Sequence, residues 1–86
     1  MTQKEIAEIV KKFGKNEGDT GNPAVQIALL SKRIEELTEH LKVHKQDKHS
    51  RRGLTLMLGK RKRLLDYVEK NDLNAFRELK KQLGLR

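Results

Sequence analysis

The chain contains no cysteine, and this absence removes several kinds of protein from consideration. Without thiols there is no disulfide, no thiolate–metal site and no cysteine nucleophile, and we expect a cytoplasmic location. No stretch approaches the 18 consecutive apolar residues of a transmembrane helix. The first twelve residues, MTQKEIAEIVKK, also lack the continuous apolar segment of a signal peptide. We therefore expect no membrane partner.

Signatures of catalysis and of metal binding are also missing. The chain has no GxxxxGK[ST] phosphate loop, no nucleophile elbow and no paired-carboxylate signature. The tripeptide DTG at residues 19–21 matches aspartic proteases, but it has no second copy and no strand around it. His40 and His44 have the spacing of a helical chelate, but Asp47 is the only acid nearby and no HExxH pattern exists. We expect neither an enzyme nor a metal or other cofactor.

No segment alternates apolar and polar residues as a strand does, whereas helical periodicity covers most of the chain. The pattern predicts one all-α domain over residues 1–86, with four helices. The second and third helices are expected to form a long antiparallel hairpin, with a short helix on a flexible tether before it and a short helix after it. In the second helix the seam is formed by apolar residues spaced three and four apart: Ile27, Leu30, Ile34, Leu37 and Leu41.

Capping residues predict where the helices begin. Thr2 and Glu5 have capping-box spacing, so the first helix begins at residue 3, and Gly14 ends it. Asn22 and the following proline predict a second helix over residues 23 to about 43. Ser50 is the candidate cap for a third helix over about residues 51–70, which leaves a loop of about six residues. Asn71 and Asp72 precede the fourth helix.

The positive charge is concentrated in one internal segment. The net charge is +8, and residues 40–63 hold nine basic residues against one acid, Asp47, which accounts for all of it. The other 62 residues hold 11 basic and 11 acidic side chains. A concentrated basic block is what neutralisation of phosphates requires, so a polyanionic partner is favoured over a merely solvated helix face.

Several polar residues are candidates for recognition, each with an alternative explanation. Gln26, Arg33 and His40 are seven residues apart and form a stripe of roughly 21 Å; otherwise they are unrelated polar neighbours of the seam. Tyr67 either stacks on a base or covers the core. Asp47 and Ser50 either cap the third helix or contact bases.

The glycines of the third helix also have two interpretations. Gly53 and Gly59 lie within it, where a glycine costs up to about 1 kcal/mol relative to alanine. They indicate close approach of another backbone, from either a neighbouring helix or RNA.

Besides an RNA-binding protein, two other classes of protein fit the same concentration of positive charge. One is a small DNA-binding helical module, although helix-turn-helix readers join their helices by only about three to four residues. The other is a helical protein adaptor, for which we expect weak salt dependence of binding, in contrast to the steep dependence of an RNA-binding protein.

Three segments resemble the bacterial family of small-subunit ribosomal protein fifteen. They are DTGNPAVQIALLSKRI at residues 19–34, HLKVHKQDKHSRRGL at 40–54 and KRKRLLDYV at 60–68, and the C-terminal LGLR also fits. The resemblance implies four helices and primary binding of 16S ribosomal RNA at a three-way junction in its central domain. It further implies contact with a nearby G·U/G·C element, neighbouring platform proteins, a bridge to large-subunit ribosomal RNA, and a monomer when free.

The resemblance also implies which residues contact RNA. The junction would be bound by five positions, namely Thr20, Gly21, Gln26, Arg33 and Tyr67. The G·U/G·C element would be read by His40, Asp47 and Ser50. Supporting contacts to the RNA backbone would come from His44, Lys45, His49, Arg51, Arg52 and Arg63. On this basis the polar stripe of the second helix becomes part of an RNA-binding surface.

Overall fold

A computed structural model describes residues 2–14 and 21–85 of the protein, and within them every regular element is a helix. The helices are α1 (Gln3–Phe13), α2 (Pro23–Val43), α3 (Lys48–Asn71) and α4 (Leu73–Leu83). The most extensive packing is between α2 and α3, α4 folds back mainly onto α3, and α1 packs against α2. The predicted all-α fold with a central helical hairpin is confirmed.

Three helices begin where their capping residues predict. The Glu5 N–H donates to Thr2 Oγ1 at 3.2 Å, and the Ala24 N–H donates to Asn22 Oδ1 at 2.9 Å. At the start of α4 the Ala75 N–H donates to Asp72 Oδ1 at 3.1 Å. Each bond satisfies one of the amide donors that the first turn of a helix leaves without a partner.

The predicted start of α3 was wrong by three residues. Its cap is Asp47, not Ser50, and the helix begins at Lys48. A carboxylate can accept the free N–H groups of the first turn, and here it accepts from the Ser50 N–H at 3.0 Å. The connection between α2 and α3 is therefore residues 44–47, four residues rather than six. Loop length no longer separates this hairpin from a helix-turn-helix, but the 21-residue length of α2 still does.

The fully buried core lies at one end of the hairpin. Apolar side chains buried among the described residues are Val10, Val25, Ile27, Ala28, Leu30, Ile34 and Leu79. Five of them lie in the first twelve residues of α2, where α1, α3 and α4 converge. Farther along the predicted seam, Leu37 and Leu41 are only half-buried. The far half of the hairpin is thus a two-helix arm with both broad sides available to partners.

The glycines of α3 do not mark close backbone contacts. A Cβ placed on Gly53 would lie 3.9 Å from the Leu37 side chain, which is an ordinary van der Waals distance. A Cβ on Gly59 would meet only the Arg63 guanidinium of the same helix, at 3.7 Å. The expected approach of a neighbouring helix backbone is therefore absent at both positions.

Two further predictions concern the segment between α1 and α2 and the possibility of a membrane-spanning helix. The predicted flexible tether is the loop of residues 14–22, of which residues 15–20, including Thr20, lie outside the described part of the chain. No helix within residues 2–14 and 21–85 is long and apolar enough to cross a membrane.

Candidate nucleic-acid interface

A shallow groove runs along one side of the hairpin between α2 and α3. Its first section is lined by Gln26, Leu29, Leu30, Arg33 and Lys60, and its second by Arg33, Glu36, Leu37, His40, Ser50 and Met57. The two sections adjoin at Arg33, which lines both, and we call them together the α2–α3 groove. All three residues of the predicted polar stripe line it.

The groove presents cationic groups above an apolar floor. The Arg33 side chain is exposed on α2, and the exposed Lys60 reaches the same section from α3. Within the described residues, neither cation belongs to an ion pair. Their charges are therefore available to an anionic partner. A guanidinium offers a planar set of donors and an ammonium a compact charge, and both suit phosphate.

At the tip of the hairpin, one carboxylate joins both helices. Asp47 Oδ1 accepts from the Ser50 N–H at 3.0 Å, and its Oδ2 accepts from the Ser50 hydroxyl at 2.6 Å. His40 Nε2, from the last turn of α2, lies 2.9 Å from the same Oδ2. Since an ionised carboxylate only accepts hydrogen bonds, Nε2 carries the hydrogen. We call this set the His40–Asp47–Ser50 cluster.

The cluster keeps Asp47 ionised. Its hydrogen bond from the Ser50 hydroxyl holds the pKa of Asp47 well below the ordinary value, and the Ser50 N–H and His40 add to the effect. The His40 ring also stacks on the His44 ring, with centroids 4.5 Å apart and an angle of 29° between the planes. His40 is therefore held on two sides, and the end of α2 is fixed relative to the start of α3.

The hydrogen bonds of the cluster limit what it can offer to RNA. A carboxylate has about four acceptor sites, of which the two on Oδ2 and one on Oδ1 are used. One site on Oδ1 remains, and the Ser50 oxygen can still accept a bond. These acceptors suit an amino group of guanine or cytosine. Capping by Asp47 is thus observed, and it leaves capacity for the base contact that the resemblance implies.

Among the predicted basic contact residues around the tip, one side chain is held by a hydrogen bond to the backbone and three are exposed. Arg51 Nη2 donates to the Lys45 carbonyl oxygen at 2.9 Å, which closes the loop over the start of α3. Three predicted contact residues, Lys45, His49 and Arg52, have exposed side chains. Arg51 therefore shapes the loop, whereas the other three are available to a phosphate backbone.

Of the predicted junction residues, Gln26 and Arg33 line the groove, Gly21 and Tyr67 are described outside its lining, and Thr20 lies outside the described residues. Gly21 is exposed just before the cap of α2, and Gln26 is half-buried one turn into the helix. On α3, Tyr67 is 58% exposed, so it does not cover the core, and its ring is free to stack. The Arg63 side chain is exposed and lies back along its own helix over Gly59.

Six residues that line the groove were not predicted as part of the site: Leu29, Leu30, Glu36, Leu37, Met57 and Lys60. Lys60 lines the groove beside Arg33, and Leu37 and Met57 form its apolar floor near His40. Lys60 lies three residues before Arg63, and that helical spacing was the signal that could have placed it at the site. Leu37 belongs to the seam and gave no separate signal.

Comparison with known proteins identifies the family of the chain. The family model described as Ribosomal protein S15 matches residues 6–86. A protein named small ribosomal subunit protein uS15 from Streptomyces coelicolor is 58% identical over 79 residues, covering 92% of this chain and 83% of the relative. Its counterpart of the same name from Streptomyces avermitilis is 57% identical with the same coverage. The chain therefore belongs to the ribosomal protein S15 family.

Proposed function

We propose that this protein is a structural constituent of the small ribosomal subunit that binds 16S ribosomal RNA through the α2–α3 groove. The observation that carries the proposal is that Arg33 lines both sections of the groove. The section with Gln26 and Lys60 therefore adjoins the section with His40 and Ser50, which belong to the His40–Asp47–Ser50 cluster. A cationic section therefore adjoins a hydrogen-bonding tip on a single side of the hairpin. This arrangement suits an RNA that offers a backbone at one end and base edges at the other.

The two ends of the groove would bind two features of the central domain of the RNA. Thr20, Gly21, Gln26, Arg33 and Tyr67 would bind the three-way junction, where splayed bases offer stacking faces and backbone turns offer phosphates. The cluster would read the G·U/G·C element. The basic side chains near the tip, including His44, Lys45, His49, Arg51 and Arg52, would contact the backbone between them, with Arg63 nearer the junction.

The chemistry of the tip favours RNA over DNA. The minor groove of an RNA helix is wide and shallow and displays base edges with 2′-hydroxyl groups. A fixed carboxylate oxygen beside a serine hydroxyl can accept from amino groups there, and it can also accept from a 2′-hydroxyl. In DNA the corresponding groove is narrow, and helical readers use the major groove instead.

The remaining partners belong to the same proposal. Once bound, the protein would help to nucleate the platform of the small subunit, next to other platform proteins, and would contribute to a bridge with large-subunit ribosomal RNA. It would act as a monomer when free and be located in the ribosome. Support comes from the family and from the relatives, which are named as proteins of the small ribosomal subunit.

Filter binding with the full-length protein tests the proposal. The central-domain junction RNA, the same RNA with its G·U/G·C element replaced, and a duplex DNA of equal length are compared at one salt concentration. We expect the intact RNA to bind tightest and the DNA weakest. Equal affinity for RNA and DNA would contradict RNA recognition, and an affinity insensitive to salt would favour the protein-adaptor alternative.

Asp47 allows a sharper version of this test. Its replacement in Asp47→Ala should weaken binding to the intact element more than binding to the replaced element, because the lost acceptor matters only where an amino group faces it. The matched control is Asp72→Ala, which removes a similar aspartate cap from α4, away from the tip. An equal loss of affinity for both RNAs would limit Asp47 to its capping role.

A further inference from the structure

The four consecutive basic residues at 60–63 point to both sides of α3. Lys60 lines the α2–α3 groove, but Arg61 and Lys62 line a second groove between α3 and α4. Successive helical residues are turned by about 100°, so one partner cannot contact the whole run. Binding of RNA in the α2–α3 groove therefore leaves the charges of Arg61 and Lys62 unexplained.

The second groove has an apolar floor and a cationic rim. Leu58, Leu65 and Phe76 form the floor, and Lys80 of α4 completes the rim with Arg61 and Lys62. Leu58 is 41% exposed although it is a large apolar residue. We call this surface the α3–α4 groove.

Contacts within the protein hold the rim in place, and only Lys62 is paired with an acid there. Arg61 Nη1 donates to Ser31 Oγ at 3.4 Å, which directs one guanidinium donor toward α2 and leaves four. The ammonium of Lys80 lies 5.2 Å from the centre of the Phe76 ring. The single acid lining the groove, Asp66, is paired with Lys62 at 3.3 Å. Three cations against one carboxylate leave the groove with a net charge of about +2.

The combination of floor and rim selects one chemistry of partner. A phosphate backbone would match the rim, but it gains nothing from Leu58 and Phe76. An apolar peptide would cover the floor and leave the cations unmatched. A peptide with bulky apolar residues on one face and acidic residues beside them satisfies both, because carboxylates pair with the rim while apolar surface is buried.

We propose that the α3–α4 groove is a docking site for an acidic amphipathic segment of a partner protein. The bound segment presents leucine-like side chains to Leu58, Leu65 and Phe76, and carboxylates to Arg61, Lys62 and Lys80. Since Lys60 and Lys62 face opposite sides of α3, RNA in one groove does not block the peptide in the other. The protein then serves as an RNA-bound platform to which a second protein attaches.

Fluorescence anisotropy with the full-length protein tests the proposal. The probe is a labelled helical peptide of about 14 residues, about four turns, with leucine on one face and glutamate beside it. One control peptide has lysine in place of glutamate, and another has alanine in place of leucine. We expect binding of the first peptide only. Binding of the alanine peptide with equal affinity would show simple charge attraction and overturn the proposal.

Variants then locate the site. Lys62→Glu should weaken the acidic peptide about fivefold, because an exposed attraction becomes a repulsion. Leu58→Gln should weaken it about tenfold through lost apolar burial. Lys60→Glu is the matched control on the other side of α3 and should leave the affinity unchanged. If Lys60→Glu weakens the peptide as much as Lys62→Glu, or if Leu58→Gln has no effect, the α3–α4 groove is not its site.

RNA is the alternative occupant, and the same variants decide between the two. A short RNA duplex is titrated against the protein and against Lys62→Glu and Leu58→Gln. The proposal expects little change in RNA affinity for either variant. A loss with Lys62→Glu as large as that seen with the peptide would make this groove a second RNA contact, and the docking proposal would be abandoned.

Discussion

Two lysines on α3 provide a matched pair that tests which side of the hairpin faces RNA. Lys60 lines the α2–α3 groove beside Arg33, whereas Lys62 lies about 200° around the helix and lines the α3–α4 groove. Both side chains are exposed, so replacement by alanine should leave the fold intact and slightly favour the helix. We predict that Lys60→Ala weakens RNA binding and that Lys62→Ala does not.

The size of the effect follows from counterion release. Affinity falls as salt rises, and each lost phosphate contact makes the plot of log affinity against log salt less steep by about 0.9. If Lys60 acts only in this way, its removal weakens binding about eightfold at 0.1 M salt. The same slope predicts about fifteenfold at 0.05 M and about fourfold at 0.2 M. The ratio of dissociation constants between variant and parent should therefore shrink as salt rises.

Filter binding of junction RNA across this salt range measures both quantities. Circular dichroism of each variant confirms that the helices are retained. A Lys60→Ala protein with the slope of the parent would exclude Lys60 from contact with phosphate. A Lys62→Ala protein that loses as much slope as Lys60→Ala would show that RNA binding is not confined to the α2–α3 groove.

Three other predictions test the fold beneath the site. Ile27 is fully buried, so Ile27→Ala should lower the free energy of unfolding by about 3 kcal/mol and Tm by at least about 12 °C in thermal melts. The control Leu56→Ala, at an exposed position, should change the free energy of unfolding by less than about 0.5 kcal/mol. Because folding lowers the pKa of Asp47, the ionised carboxylate stabilises the folded protein at pH values above 3.8, the ordinary pKa of this group. The parent protein should exceed Asp47→Asn in free energy of unfolding by its largest amount above about pH 4, and this difference should shrink as the pH falls below that value. A difference that persists in acid would contradict this reasoning. In the free protein, α1 should show less hydrogen-exchange protection than α2 and α3, because α2 is the only helix that it contacts within residues 2–14 and 21–85. Equal protection would contradict loose packing.

The sequence predicted the helices well where a local signal marks each boundary. Thr2, Asn22 and Asp72 each satisfy an amide of the next turn, and such a bond depends on neighbours in the chain alone. At α3 two candidate caps lay three residues apart. The choice between them was decided in three dimensions, because His40 reaches across from α2 to the carboxylate of Asp47.

The depth of burial could not be predicted from periodicity. The seam repeats evenly from Ile27 to Leu41, but only its first half is covered, since α1 and α4 both pack at that end. For the same reason the sequence could not divide the basic run at 60–63. The division between the two grooves depends on where α2 and α4 lie around α3.

The candidate site was predicted in two ways. The alignment of Gln26, Arg33 and His40 on α2 came from spacing, and all three line the groove. Their role in binding RNA came from the family resemblance and stays a prediction. The roles of Asp47 and Ser50 in reading RNA came from the family resemblance and stay predictions. Lys60 belongs to the basic segment of residues 40–63, but the sequence did not assign it to the site, because only the packing of α3 against α2 brings it beside Arg33.

Nucleotide-resolution footprinting on 16S ribosomal RNA tests the central claim most directly. The full-length protein is bound to the RNA, and backbone cleavage is compared with that of the free RNA. We predict protection at the central-domain three-way junction and at the nearby G·U/G·C element, with Asp47→Ala losing the second protection before the first. Protection spread evenly over duplex regions, or protection absent from the junction, would contradict the account.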